Sequence, residues 1–158
     1  MKKIFFFAIC LMFAFASQAQ SNNDEVALLQ SIYGMNKQQL IQDHMKFTEA
    51  ESAKFWKIYD EYEVSRKEIG KKRVANVMEY ADNYQNLSSE KATQIVKASI
   101  SNINAFTKLQ EKTFKKLSKE LSPVRAAQFY QIESFLESIV RVKMADEIPL
   151  IEGFEEKK

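Results

Sequence analysis

Phe47-Thr48-Glu49-Ala50-Glu51-Ser52-Ala53-Lys54-Phe55-Trp56-Lys57-Ile58-Tyr59-Asp60-Glu61-Tyr62 decides the fold of this chain. Thr48 followed three residues on by Glu51 is a capping box: the hydroxyl accepts from the Glu51 N–H while the carboxylate reaches back to the Thr48 N–H. Ala50, Ala53 and the series Phe55, Ile58, Tyr59 and Tyr62 then recur at helical spacing, which predicts one bulky, buried face. The pattern runs without a proline through Asn86, a rod of about 57 Å at 1.5 Å per residue. A rod that long needs a long partner.

Downstream, the apolar series continues through Ile69, Val77, Tyr80, Ala81 and Tyr84, but Arg66 and Arg73 occupy slots where the stripe predicts core residues. Gly70 lies between them and weakens a helix by about 1 kcal/mol relative to alanine. Two readings are open here: a local bend with arginine stems packed along the rod, or a flexible basic contact surface. Ser88, with Leu87 before it and Ala92 four residues on, starts a second long helix to about Glu120. Its predicted apolar face is Ile95, Val96, Ile100, Ile103, Phe106, Leu109, Phe114 and Leu117. The short connection makes the two rods an antiparallel hairpin. Ser122 caps a last helix with Pro123 at its first position, where the missing N–H costs nothing. Val124, Ala127, Ile132, Phe135, Leu136, Ile139, Val140 and Val142 are its apolar positions, to about Met144.

Upstream, residues 25–33 read as a short helix interrupted at Gly34 and Asn36, and residues 36–45, ending near His44 and Lys46, as either a separate helix or its continuation after a kink. Met1-Lys2-Lys3, the apolar run from Ile4 to Ala16 and Ser17-Gln18-Ala19 have the three parts of a secretory signal peptide, with cleavage expected after Ala19. At 13 residues, the run falls short of the roughly 20 that span a bilayer. Residues 20–24 form a polar leader, 25–151 one α-helical domain and 152–158 a solvated tail, with Ile148, Leu150 and Ile151 expected to tuck an extended stretch against the bundle. The expected class is all-α: a long antiparallel helical hairpin with flanking shorter helices, bundle-like. No later run approaches membrane-spanning length.

Export changes the composition. Removing residues 1–19 leaves 21 basic and 21 acidic residues, so the formal +2 charge of the whole chain disappears. Nothing then favours nucleic acid. Cys10 is lost as well, which excludes disulfides and thiol chemistry from the mature chain. His44 is the single histidine, and the Glu-x-x-His pairs of di-iron bundles are missing. Neither metal nor cofactor is expected, and no catalytic constellation stands out.

What remains is charge. Arg66, Lys67, Lys71, Lys72 and Arg73 cluster on the first rod, and Lys108, Lys112, Lys115, Lys116 and Lys119 on the second. If the hairpin turns near Leu87, residue 66 lies opposite about residue 108, and the clusters meet midway along the bundle. That zone is either a solvated face or a surface steering acidic partners.

The helix starts Phe47-Thr48-x-x-Glu51, Leu87-Ser88-x-x-Lys91 and Leu121-Ser122-x-x-Arg125, with Phe55-Trp56-x-x-Tyr59-x-x-Tyr62 and Ala126-Ala127-Gln128-Phe129, resemble the exported Spy/CpxP group. That group is defined by a repeated Leu-Thr-x-x-Gln motif; here Glu51 and Arg125 stand where the glutamine is expected. Tyr59-Asp60-Glu61-Tyr62 and Phe129-Tyr130-Gln131-Ile132-Glu133 also resemble a set of exported bacterial helical proteins. The Spy/CpxP resemblance, over about residues 47–145, implies a periplasmic helical protein, often dimeric, that acts as an ATP-independent chaperone or stress-signalling modulator through a basic, partly apolar cradle. The expectation is therefore a non-enzymatic binder of unfolded or partner envelope proteins, forming a homodimer. Its alternative is a structural or regulatory partner of one specific envelope protein.

Overall fold

The structure is a computed structural model and describes residues 36–146 and 148. Among these residues every regular element is helical: α1 Lys37–Met45, α2 Glu49–Asn83, a 3-10 turn Tyr84–Asn86, α3 Ser89–Glu120 and α4 Pro123–Asp146. The all-α class is as expected. The expected signal peptide, leader, first short helix and solvated tail lie outside the described residues, as do Leu150 and Ile151. The chain divides into two compact units, Met1–Leu40 and Ile41–Lys158, and the three long helices all belong to the second.

Each predicted cap is made. Thr48 Oγ1 accepts from the Glu51 N–H at 3.3 Å while Glu51 Oε2 accepts from the Thr48 N–H at 2.9 Å. Ser88 Oγ accepts from the Lys91 N–H at 3.2 Å and Ser122 Oγ from the Arg125 N–H at 3.1 Å. The end of α1 is set differently. Lys46 has φ 46°, the left-handed conformation in which chains leave helices and which glycine usually supplies.

α2 and α3 pack antiparallel, and their register is fixed by four cross-links. Lys54 Nζ donates to the Glu120 carbonyl at 3.4 Å, and Lys116 pairs with Glu61 at 2.6 Å. Nearer the turn, Asn76 Nδ2 donates to the Ile95 carbonyl at 3.1 Å and to Ser99 Oγ at 2.8 Å, and Lys91 pairs with Glu79 at 2.5 Å. Residue 66 therefore does face about residue 108. α4 runs back along α3, where Gln110 Nε2 donates to Ser134 Oγ at 3.4 Å.

The core is aromatic and lies at the end of the bundle away from the turn. Phe129 of α4 presents its ring edgewise to Phe55, Tyr59 and Tyr62, at centroid distances of 5.3, 6.1 and 5.4 Å. Such pairs each add about 0.5–1.5 kcal/mol beyond their buried area. Phe47, one residue before the cap, lies 4.4 Å from the Phe55 ring and closes that end. α2 fully buries Phe55, Ile58, Tyr59 and Tyr62, and nothing beyond Tyr62.

α2 is one continuous helix through Gly70, as the pattern predicts, and of the two readings open there Arg66 and Arg73 follow the packed one, half-buried in ion pairs rather than lying on a flexible basic surface. One expectation needs correcting. Several residues placed in the core are outside it. Ala50 and Ala53 are exposed, as are Val96, Ile100, Ile103 and Phe114 on α3 and Val124, Ala127, Phe135 and Val142 on α4. On α3 the buried positions are Ile95, Asn102, Phe106, Thr113 and Leu117. The apolar arc of that helix is wider than the arc its neighbours cover, so Asn102 and Thr113 are enclosed while the adjacent apolar row faces outward.

Candidate functional site

The expected basic zone is present in register but largely neutralised. Arg66 Nε and Nη2 donate to the two oxygens of Glu63 at 2.8 and 3.1 Å. Arg73 turns toward α4 and pairs with Glu137. Lys71 pairs with Glu68 at 2.9 Å, Lys115 with Glu111 at 2.5 Å and Lys116 with Glu61 at 2.6 Å. Lys115 and Lys116 hold the carboxyls of Glu111 and Glu61 below the usual carboxylate range through direct hydrogen bonds. Lys112 adds a weaker attraction to Glu61. Lys67, Lys72 and Lys108 are exposed and make no salt bridge among the described residues.

A second surface feature comes from the outward row of α3. Val96, Ile100 and Ile103 follow at spacings of four and three, with Phe114 eleven residues further in the same phase, so they share one side of the helix. Val96 and Ile100 are 54 and 53 % exposed. Lys97 and Lys108 border the row, and between Lys91 and Glu111 α3 carries no acidic residue. The result is an apolar strip flanked by two lysines.

Beneath α4 lies a polar arrangement that hydrophobic patterning did not single out. Glu133 is 2 % exposed, and its Oε2 accepts from the Tyr62 hydroxyl at 2.6 Å. Burial, and then the negative charge of Glu133, push the Tyr62 phenol far above its ordinary range. Burial does the same to Tyr59. Beside this pair is a water-sized cavity lined by Gln110, Thr113, Phe114 and Tyr130 among others. One signal did point to Glu133: with Phe129, Ile132 and Leu136 it completes the spacing of a buried helix face.

Arg125 forms the other unanticipated site. Its guanidinium spans both oxygens of Glu51, donates to the Met45 carbonyl at 2.6 Å and stands 5.8 Å from the centre of the Phe47 ring. That guanidinium, through its hydrogen bonds, is the main reason the Glu51 carboxyl falls to about 2. Among the described residues no group of acidic, histidine or cysteine side chains is arranged to hold a metal ion, and no helix is long and apolar enough to cross a membrane. Comparisons with protein-family models, curated proteins and solved structures find no match to this chain.

Proposed function

We propose that this chain is an exported helical binding protein, chaperone-like or a modulator of envelope stress, that acts by contact rather than catalysis. It holds segments of unfolded or partner envelope proteins against an amphipathic, partly basic helical surface. The observation that carries this reading is the outward row Val96, Ile100 and Ile103, bordered by Lys97 and Lys108. Apolar side chains flanked by lysines suit segments that are both apolar and acidic, drawn in by charge and retained by burial. The Spy/CpxP-like helix starts agree with it. The half-buried arginines support it from another side: Arg66, Arg73 and Arg125 are committed to Glu63, Glu137 and Glu51, a structural use of charge. Within the expected zone, contact then falls to Lys67, Lys72, Lys108 and Lys112.

The test is light scattering from a denaturing client protein, with and without the chain lacking residues 1–19, at low and high salt. Suppression that fades at high salt is expected. It should be lost when Val96, Ile100 and Ile103 are all replaced by serine, and weakened at low salt in a Lys108→Gln, Lys112→Gln variant. No suppression at either salt would overturn the reading.

A further inference from the structure

We infer that the outward face of α4 is a contact between two copies of this chain, laid antiparallel so that each helix meets its own row in reverse. This contact is independent of the client-binding reading, which uses α3.

The buried face of α4 is Ala126, Phe129, Ile132, Glu133 and Leu136. On another side of the helix, Val124, Gln128, Gln131, Phe135, Ser138 and Val142 recur at spacings of 4, 3, 4, 3 and 4. That alternation is the one by which one helix docks along another. None of the six is buried, and Val124, Phe135 and Val142 are 69, 56 and 71 % exposed. The row is also free of charge. Between Arg125 and Arg141, Glu133 and Glu137 are the only charged residues, and both are taken up by α2: Glu133 is buried against Tyr62 and Glu137 pairs with Arg73. In a chain whose residues are 28 % charged, an exposed uncharged helix side with an aromatic at its middle has the composition of the centre of a protein contact.

The row fits a second copy of itself. Set antiparallel, Val124 comes level with Val142 of the second copy, Gln128 with Ser138 and Gln131 with Phe135. Each pairing then occurs twice, as a two-fold contact requires. The two Phe135 rings flank the axis, about 6 Å apart along the helices. Gln128 Oε1 accepts from Arg125, while the Ser138 hydroxyl donates to the Ser134 carbonyl at 2.8 Å. Gln128 therefore has amide N–H groups to offer and Ser138 an oxygen to receive them. A parallel pairing would set Arg141 and Lys143 against their own copies. The antiparallel one sets Lys143 level with Pro123, and Arg141 level with Arg125, whose charge is already met by Glu51. The seam is about 27 Å long. With three of its six positions polar, it stands at the small end of protein interfaces, so the dimer dissociates on dilution.

Sedimentation equilibrium of the full chain in reducing buffer, over a range of concentrations, tests this. The expected mass rises from one chain toward two through the micromolar range. Phe135→Glu should hold it at one chain, with helix content and urea midpoint unchanged. Val124→Lys and Val142→Glu should each weaken association by roughly tenfold or more, and the variant carrying both should recover it, because each lysine then faces a glutamate of the second copy. A one-chain mass at every concentration would overturn the inference, as would a dimer that survives Phe135→Glu. Failure of the double variant to recover would overturn the antiparallel register, since a parallel or unrelated contact gives no such rescue.

Discussion

Glu51 and Arg125 each stand three residues after the hydroxyl that caps their helix, and they grip each other. Arg125 Nε donates to Glu51 Oε1 at 2.8 Å and Nη2 donates to Oε2 at 2.9 Å. The starts of α2 and α4 are thereby tied together by the third residue after each cap. The carboxylate serves twice, closing its own capping box and receiving the fork.

Arg125→Ala should lower stability by on the order of 1–3 kcal/mol, because it strands the Met45 carbonyl as well as Glu51. Arg125→Lys should recover little, since an ammonium does not reproduce the planar fork. Urea unfolding midpoints at neutral pH check both. Equal stability of the lysine variant and the wild type would contradict the geometric argument.

The same pair sets an acid response. A carboxyl more acidic in the folded chain than in the unfolded one stabilises only while ionised. Its contribution is complete above the ordinary value of 4.5 and drains away as pH falls toward about 2. Stability should therefore drop across that window, and Glu51→Gln should flatten the drop while lowering stability at neutral pH. Thermal melts at a series of pH values are the measurement.

At the alkaline end the sign reverses. The Tyr59 and Tyr62 phenols are pushed up by burial, so their contribution is whole below the ordinary value of 10.0 and is lost as pH rises above it, where the unfolded chain ionises first. Phenolate absorbance should show two tyrosines that ionise only as the helical signal collapses.

Tyr62→Phe removes the donor to a buried carboxylate and should cost about 1–3 kcal/mol. The double variant Tyr62→Phe, Glu133→Leu should be more stable than Tyr62→Phe alone, because the charge left without that donor is gone as well. Denaturant titrations of the four members of the cycle would give the coupling directly.

Gly70→Ala should stabilise the chain by about 1 kcal/mol. A methyl group there meets nothing within 4 Å, and the position is interior to a helix. A lower melting temperature would show that Gly70 serves a purpose other than spacing.

The helix boundaries are legible in the sequence because capping is local: Thr48, Ser88 and Ser122 each act within three residues of themselves. The hairpin register is legible from the turn position, and the contacts between α2 and α3 agree with it. The lining of the core is less legible. Periodicity finds the apolar side of α3 but not how much of that side α2 and α4 cover, so Ile100 and Asn102 exchange their expected places. Charged residues look like interruptions of a stripe, whereas Arg73 and Glu133 are held by α4 and α2 respectively, each by a partner more than sixty positions away. Pairings across that separation are decided by the third helix, which no window along the chain contains.

α2 has no buried residue beyond Tyr62, so cohesion is graded along the hairpin. The aromatic end carries the buried rings, while toward the turn polar side chains share the work, Asn76 and Lys91 reaching across between the rods. The α3 row from Val96 to Ile103 lies in the stretch to which α2 contributes none of the buried core.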